Sequence, residues 1–323
     1  MMNDLFQRIE EAHRAIRPQV SVTPLAFSPM LSKETGCDVY LKCEHLQHTG
    51  SFKFRGATNK LRLLDADARR NGVLTVSSGN HGQGVALAGK LAGVPVTVYA
   101  STSAAAIKLD AIRALGAEVI TLNDTTLAVE LEAARQAKLR GMAFVSPYND
   151  LDVIAGQGTI GMELHEQASG TIADLAAVFA SVGGGGLISG IGTAVKTLLP
   201  QTDVIGCWPE NSTALYSSLK AGKIIDVEES ETISDGTAGG VEPGSVTFDI
   251  GREVITGTAL VTEEEIKAAM KLLAQTDRWM VEGAAGVALA AMLKLSSQYQ
   301  GRAVAVVLCG RNIMLNKFIE AVK

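Results

Sequence analysis

The sequence predicts an α/β protein with two twisted sheets, parallel or mixed, that carry helices on both faces. Short apolar runs alternate with longer amphipathic stretches along most of the chain, which is the pattern of strands and helices in turn. Parallel strands need crossover connections, and helices usually supply them. The length of 323 residues corresponds to about two domains. The chain is therefore too long for a small disulfide-stapled scaffold and long enough for two sheets.

The predicted elements fall into two series on either side of a turn. The turn reads Pro147-Tyr-Asn-Asp150, and residues of this kind favour a change of chain direction. We expect the chain to pass there from one sheet to the other. The first series comprises strands at 73–76, 96–99 and 118–121 and helices at 80–91, 105–115 and 127–140. The second series begins with a strand at 176–180 and continues with strands at 204–205, 259–261 and 303–308.

Composition and charge narrow the class of protein. Hydrophobic residues make up 47% and charged residues 20% of the chain, as in globular proteins. The 29 Lys and Arg against 34 Asp and Glu give a net charge of −5, so no basic field is available for nucleic acid.

The uncharged stretch 175–195 contains four consecutive glycines and is not interpreted as a membrane span. Four scattered cysteines and an N-terminus without an apolar signal segment predict a cytoplasmic protein.

One glycine motif suggests an oxidoreductase. Residues 156–161 read G-x-G-x-x-G, which is the pattern of nicotinamide-dependent enzymes. Such a site needs an acidic residue about 20 positions later for the ribose hydroxyls, and residues 175–202 contain no Asp or Glu. We interpret these glycines as a helix-packing surface and keep the oxidoreductase as an alternative of a different class.

A second glycine run predicts an anion site. Gly183, Gly184, Gly185 and Gly186 follow an apolar strand and precede a helical pattern. Backbone N–H groups at the start of a helix favour a phosphate, and glycine lets its oxygens approach the main chain closely. A flexible loop is the alternative, but four glycines carry a high cost in backbone entropy.

A polar turn follows the first predicted strand. Ser77, Ser78, Asn80 and His81 lie between this strand and the next helix, at the edge where open α/β sheets bind ligands. Ser78 and the following amides are suited to a carboxylate, and the Asn80 amide can both donate and accept hydrogen bonds. A helix cap would explain one serine but not the other polar residues.

Lys53 stands between two phenylalanines and close to an arginine, in Ser51-Phe-Lys-Phe-Arg-Gly-Ala57. Apolar and cationic neighbours lower the pKa of a lysine amine. Such an amine can form a Schiff base with an aldehyde cofactor. A solvent-exposed lysine is the alternative.

With these motifs the chain resembles the fold-type II pyridoxal-phosphate enzymes, and among them the threonine/serine dehydratases and serine racemases. The resemblance covers nearly the whole chain. It implies a tryptophan synthase β-like fold, with a small domain at 61–148 inserted in a large domain formed by 1–60 and 149–323. It rests on Thr-Pro-Leu at 23–25, the segment 51–57, Ser-Ser-Gly-Asn-His at 77–81, residues 153–160, Gly183 to Gly186, and Cys-Gly-Arg-Asn at 309–312.

The resemblance also implies a role for each motif residue. Lys53 would bind pyridoxal phosphate as a Schiff base and, once displaced by the substrate, would remove the α-proton. Phe52 would lie against the pyridine ring, and Asn80 would bind its 3-oxygen. The other implied contacts are the phosphate with the four glycines, the pyridine nitrogen with Cys309, the substrate carboxylate with Ser77, Ser78, Asn80 and His81, and the cofactor pocket with Glu282.

The implied reaction is the elimination of water from a β-hydroxy amino acid such as L-threonine or L-serine, which gives a 2-oxo acid and ammonia. A thiol at position 309 would leave the ring nitrogen largely unprotonated, which favours elimination over transamination. Ser78 keeps serine racemisation open, because racemases of this family use a serine as the opposite-face acid. A homodimer or homotetramer is expected, with no nucleic acid or membrane as partner.

Two positions depart from the family pattern. Arg311 stands where the family commonly has glycine. An inward guanidinium would bind a second carboxylate and favour a 3-hydroxyaspartate-type substrate, and an outward one would face solvent. A phenylserine-type substrate is a further alternative.

Trp208 replaces the glutamate ligand of metal-dependent relatives, so no metal site is expected. A binding protein without catalytic activity is a further alternative, and in such a protein Lys53 would have no chemical role.

Overall fold

Two separate sheets organise the chain in a computed structural model, which describes residues 2–172 and 174–323. The larger sheet has six strands in the order β1-β2-β10-β7-β8-β9, and only the β1–β2 pair is antiparallel. The smaller sheet has four parallel strands in the order β5-β4-β3-β6. The strands are β1 (Leu25–Phe27), β2 (Asp38–Lys42), β3 (Val73–Val76), β4 (Val96–Ser101), β5 (Glu118–Leu122), β6 (Ala143–Phe144), β7 (Leu175–Ser181), β8 (Asp203–Pro209), β9 (Gly257–Val261) and β10 (Ala303–Val307).

Helices connect the strands and cover the sheets. They are α1 (Met2–Ile16), α2 (Pro29–Thr35), α3 (Lys53–Arg62), α4 (Ala66–Asn71), α5 (Asn80–Ala92), α6 (Ala106–Ala114), α7 (Thr126–Leu139), α8 (Leu151–Ala168), α9 (Gly186–Leu198), α10 (Ala214–Ala221), α11 (Val246–Val254), α12 (Glu263–Thr276), α13 (Gly283–Leu295) and α14 (Leu315–Ala321), with 3-10 turns at Glu44–Leu46 and Ser296–Tyr299.

The core of the larger sheet is apolar on both faces. Every residue of β7 and of β10 is buried, as expected of central parallel strands between two helical layers. Helix α13 is buried from Gly283 to Met292 and packs against β7, β8, β9 and β10. A helix that is apolar all round has to be buried in this way. These layers hold the ends of β7 and β10 in fixed positions.

The glycines of the G-x-G-x-x-G segment lie inside α8, where they serve helix packing. A Cβ atom on Gly156 would lie 2.5 Å from Gly56 Cα, and one on Gly161 would lie 2.7 Å from Ala194 Cβ. The interpretation as a packing surface is confirmed, since α3 and α9 approach α8 at these positions.

The predicted fold class is confirmed, and each predicted strand and helix is present with small shifts at its ends. Strands β1, β2 and β6 were not predicted. The strands of the smaller sheet lie between residues 73 and 144, and those of the larger sheet lie at 25–42 and 175–307. The division at 60/61 and 148/149 stays a prediction. Among residues 2–172 and 174–323, no helix has both the length and the apolar character needed to cross a membrane.

Candidate active site

A cavity of about 300 Å³ lies where the strand ends of the two sheets face each other. Strands β7 and β10 are neighbours in the larger sheet, so Ser181 and Cys309 at their carboxyl ends come together. Loop 77–79 follows β3 of the smaller sheet and forms another wall. This is the edge at which open α/β sheets bind ligands. The sequence-predicted residues on the lining are Phe52, Lys53, Ser77, Ser78, Asn80, His81, Gly183, Gly184, Gly185, Gly186, Glu282 and Cys309.

Lys53 is the first residue of α3 and extends into the cavity. Its Nζ donates a hydrogen bond to the Pro147 carbonyl oxygen at 2.7 Å and lies 5.2 Å from the centroid of the Phe52 ring. Burial lowers the pKa of Lys53 to about 8, although Cys309, Glu282 and Glu130 act in the opposite direction. Near pH 7 roughly a tenth of the amine is therefore neutral, far more than for a lysine of ordinary pKa, as a nucleophile or base requires.

A buried ionic network holds α3, and with it Lys53, in place. Arg55 is fully buried and donates to Glu44 at 2.8 Å and to Glu163 at 2.6 Å. Lys42 of β2 also donates to Glu163, a residue of α8. Two cations and two carboxylates compensate each other, so the helix is fixed to β2 and to α8 without a net buried charge.

The glycine loop presents free amides to the cavity. The N–H groups of Gly183, Gly184, Gly185 and Gly186 donate to no acceptor among the residues that the structure describes. Gly185 has φ +91°, a conformation that favours glycine, and α9 begins at the next residue. Unsatisfied amides at a helix N-terminus form an anion-binding site.

Protein atoms also explain why these positions are glycine. A Cβ atom on Gly184 would lie 2.4 Å from the Tyr148 ring, and one on Gly183 would lie 2.9 Å from Thr237 Cα. From the sequence, the four glycines are expected to let a phosphate approach the main chain, with a flexible loop as the alternative. The structure adds close packing of the loop against Tyr148 and Thr237 as a second reason.

Cys309 is buried at the end of β10. The Ser181 hydroxyl donates to its Sγ at 3.5 Å, and Glu282 Oε1 lies 4.0 Å from the same sulfur. Burial and the nearby Glu282 raise the pKa of the Cys309 thiol above its ordinary value. The group is thus a neutral thiol at physiological pH.

Asn80 and Glu282 both line the cavity and are hydrogen-bonded to each other. Asn80 Nδ2 donates to both carboxylate oxygens of Glu282, which also accept a hydrogen bond from the Asn312 amide at 3.0 Å. Asn312 Nδ2 donates to Asn80 Oδ1 at 2.6 Å. Burial raises the pKa of Glu282 to about 7, and these donors act against that rise.

The orientation of His81 argues against its predicted contact with a substrate carboxylate. The ring is buried, and its Nε2 lies 3.0 Å from the Val145 carbonyl oxygen. Burial and the nearby Lys53 lower the pKa of His81 to about 3, so the ring is neutral. Its single N–H is directed at a backbone carbonyl and is not available to a carboxylate. The helix places Asn80 and His81 in different directions because α5 begins at Asn80.

Arg311 does not belong to the cavity. Its side chain is exposed and is absent from the lining formed by the described residues, whereas Asn312 is part of that lining. The inward orientation considered from the sequence is therefore not supported, because Arg311 lies outside the cavity lining.

Trp208 is buried against Tyr216, at a ring distance of 5.5 Å. In the two described ranges, no group of three or more His, Cys, Asp and Glu side chains is arranged to hold a metal ion.

Several lining residues were missed by the sequence reasoning. Ser181 directly precedes the glycine loop, and Thr237 belongs to the glycine-rich segment 234–240, so local sequence could have indicated both. Lys108 and Glu130 lie on helices that read as ordinary amphipathic helices, and nothing in their local sequence marks them. Tyr148 was seen only as part of a turn.

The donor set of the cavity fits pyridoxal phosphate. An amine of lowered pKa is present for the aldehyde, and four unsatisfied amides are present for the phosphate. The thiol and hydroxyl of Cys309 and Ser181 supply a neutral pair for a ring nitrogen. A nicotinamide dinucleotide would instead need an acidic partner after its glycine motif, and here that motif is a helix-packing surface.

Comparison with known proteins gives the same family. The family model described as "Pyridoxal-phosphate dependent enzyme" matches residues 16–310. An L-threonine ammonia-lyase of Thermotoga maritima is 41% identical over 311 residues, which cover 96% of this chain and 76% of that protein.

Solved structures agree with this assignment. The processed form of threonine deaminase isoform 2 from Solanum lycopersicum superposes with a TM-score of 0.91 at 34% identity, covering 99% of this chain and 92% of that one. Serine racemase from Dictyostelium discoideum superposes with a TM-score of 0.87 at 36% identity, covering 96% and 98%. The chain belongs to the family of pyridoxal-phosphate dependent enzymes.

Proposed function

We propose that this chain is a pyridoxal-phosphate-dependent ammonia-lyase that removes water from a β-hydroxy amino acid, such as L-threonine or L-serine, to give a 2-oxo acid and ammonia. The observation that carries this proposal is the presence, in one cavity, of the Lys53 amine, the free amides of the glycine loop and the Cys309 thiol. The threonine ammonia-lyase and threonine deaminase relatives support the same reaction class.

The cofactor would be held by residues from both sheets. Lys53 Nζ would bind it covalently, Phe52 would lie beside the ring, and the glycine-loop amides would bind the phosphate. Asn80 would bind the ring oxygen, with Glu282 at the edge of the pocket. Cys309, supported by the Ser181 hydroxyl, would face the ring nitrogen. When bound, pyridoxal phosphate withdraws electrons from the substrate carbon that carries the amino group and makes its proton acidic.

The proton at that carbon would pass to Lys53. Its amine is enclosed on one side by the Phe52 ring and is largely stripped of solvent, which is why its pKa lies near 8. A base with a pKa close to the working pH combines an appreciable neutral fraction with a useful proton affinity. Lys53 would therefore act as general base.

The substrate carboxylate would be bound by loop 77–79 and the first turn of α5. Ser77 Oγ accepts a hydrogen bond from the Gly79 amide at 3.0 Å, which fixes the loop, and Ser78 faces the cavity. Hydroxyls and backbone amides at the start of a helix are suited to an anion. Ser77, Ser78 and Asn80 remain the candidates for this contact.

The neutral Cys309 thiol favours elimination. A thiol of raised pKa carries no negative charge that would keep a proton on a facing ring nitrogen. Negative charge is then less delocalised away from the substrate, so loss of the β-hydroxyl competes well with proton transfer to other positions.

Product analysis tests this function. The purified holoenzyme is expected to release ammonia with 2-oxobutanoate from L-threonine and with pyruvate from L-serine. Lys53→Ala should abolish both products, whereas the control Lys60→Ala, a lysine on the same helix that pairs with Asp150, should keep them. A holoenzyme that forms neither 2-oxo acid would refute the proposal.

Racemisation is a second candidate because Ser78 lines the cavity and a serine racemase is among the structural relatives. Chiral analysis of L-serine incubated with the enzyme would detect D-serine. Ser78→Ala should remove this product while pyruvate formation persists. Formation of D-serine by the variant would exclude Ser78 as the acid.

We further infer a homo-oligomer, a dimer or a tetramer, in the cytoplasm. Phe27, the last residue of the edge strand β1, and Met30, in α2, are 47% and 54% exposed, which supports an apolar contact between copies. All four cysteines are buried and unpaired, as in a reducing compartment. Light scattering of the purified protein should give a mass of two or four chains, and a monomer would contradict this inference.

A further inference from the structure

Glu130 is a cavity residue that the proposed reaction does not use. It lies on α7 and faces the same cavity as Lys53. Its Oε1 is shielded from solvent and has no hydrogen-bond partner among the residues described by the structure. Burial raises the pKa of Glu130 to about 7, the nearby Glu242 adds to this rise, and Lys53 opposes it. A buried carboxylate oxygen without a donor is costly unless a ligand supplies one.

The other charged side chains on the described lining have partners. Lys108 is paired with Asp235, and Glu282 accepts hydrogen bonds from Asn80 and Asn312. Lys53 is assigned to the cofactor. Among the described lining residues there is no arginine. Among the described lining residues, Glu130 is therefore the carboxyl group that has a buried oxygen without a hydrogen-bond donor and no salt bridge.

We propose that Glu130 determines side-chain specificity: it accepts a hydrogen bond from a substrate side chain that carries an N–H or O–H donor, and it repels one that carries a carboxylate. This inference rests on the proposed ammonia-lyase function. Unpaired acceptors give strong discrimination, since a ligand without the matching donor leaves them unsatisfied. A second carboxylate beside Glu130 would add like-charge repulsion in a partly desolvated site.

The geometry thus disfavours 3-hydroxyaspartate as a substrate. Its recognition would need an unpaired cation at the side-chain end of the cavity, and Arg311 lies outside the described lining. The amide analogue, 3-hydroxyasparagine, has nearly the same shape but offers two N–H donors in place of the negative charge. The two compounds therefore differ in the charge and in the hydrogen-bond donors of the group that would contact Glu130.

The test measures how strongly each compound competes with L-threonine. Inhibition of 2-oxobutanoate formation by the L-threo forms of 3-hydroxyasparagine and 3-hydroxyaspartate gives an inhibition constant for each, whether or not either is turned over. We expect 3-hydroxyasparagine to bind about 10- to 100-fold more tightly. In Glu130→Gln the ratio should fall to below about threefold, because an amide repels no carboxylate. Glu132→Gln is the matched control, since it lies on the same helix and pairs with Arg135 outside the cavity.

The outcomes separate this inference from the proposed function. If wild type cleaves L-threonine but binds the two compounds equally, prefers 3-hydroxyaspartate or binds neither, Glu130 does not set specificity. An unchanged ratio in Glu130→Gln, with a wild-type melting temperature and cofactor absorbance, overturns the inference as well. If L-threonine and L-serine are not cleaved at all, the proposed function fails first.

Discussion

Asn80 Nδ2 donates hydrogen bonds to both carboxylate oxygens of Glu282, at 2.8 and 3.0 Å, across 202 positions of the chain. Asn80 begins α5, directly after the smaller sheet, and Glu282 precedes α13, which packs on the larger sheet. This contact joins the two halves of the cavity wall. It also places a buried carboxyl group where its protonation affects the stability of the site.

The raised pKa of Glu282 predicts a pH-dependent stability. Its pKa is about 7 in the folded protein and 4.5 in its ordinary state, so the folded state binds the proton more tightly. The contribution of Glu282 to the free energy of unfolding is fully present below about pH 4.5 and is lost as the pH rises through 7. It amounts to roughly 2–4 kcal/mol.

Glu282→Gln should therefore reduce the fall in unfolding free energy between pH 5 and pH 8, as measured by urea denaturation of the apoprotein. Glu264→Gln, an exposed residue of α12, is the control and should retain the wild-type fall. Equal pH dependence in wild type and Glu282→Gln would show that this carboxyl does not titrate as described.

Local sequence predicted the parts of the site that are formed by continuous segments. The glycine loop and the polar turn were found because each follows a β-strand directly and precedes a helix. The directions in which neighbouring side chains point could not be predicted from the sequence in the same way. Asn80 was placed on the cavity, but the orientation of His81 depends on where α5 begins.

Arg311 and Glu130 show why the rest could not be predicted. Strand β10 ends at Val307, so strand alternation does not fix the direction of residue 311. Glu130 enters the cavity only because α7 packs on the smaller sheet beside β3 and β4. Long-range packing of this kind leaves no mark in the local pattern of a helix. Strands β1 and β6 are too short, at three and two residues, to give a periodic signal.

Gly184→Ala should disturb the phosphate loop. The added methyl group would lie 2.4 Å from the Tyr148 ring, so the loop or the ring has to move. We expect a loss of about 1–3 kcal/mol in unfolding free energy and weaker retention of cofactor on dialysis. Gly251→Ala in α11 is the control, because its methyl group would have ordinary contacts at 3.6 Å. Wild-type cofactor retention in Gly184→Ala would show that the loop tolerates a side chain.

Arg311→Gly should leave substrate preference unchanged. The residue is exposed and lies outside the cavity lining. We expect the kcat/KM ratios among L-serine, L-threonine and 3-hydroxyaspartate to stay within about twofold of wild type, since surface substitutions have small effects. A selective loss for 3-hydroxyaspartate would mean that Arg311 turns inward when substrate binds.

Cys309→Asp should destabilise the apoprotein. The new carboxylate would lie near Glu282, whose Oε1 is 4.0 Å from the present sulfur. A buried charge without a partner costs about 3–5 kcal/mol. The loss should be larger at pH 8 than at pH 5, because protonation of either carboxyl relieves the repulsion. Cys309→Ser, which keeps a partner for the Ser181 hydroxyl, should lose less. A loss that is equal at both pH values would contradict the assigned contact with Glu282.

The proposed function depends on a covalent bond between Lys53 and the cofactor, and chemical reduction can locate that bond. Borohydride treatment of the holoenzyme fixes a lysine-bound pyridoxyl group, which peptide mass mapping then locates. We predict the label on Lys53 alone, with none on Lys42, whose Nζ is bound to Glu163, and none anywhere in Lys53→Ala. A label on another lysine, or an unlabelled protein that still forms 2-oxobutanoate from L-threonine, would exclude Lys53 as the residue that holds the cofactor.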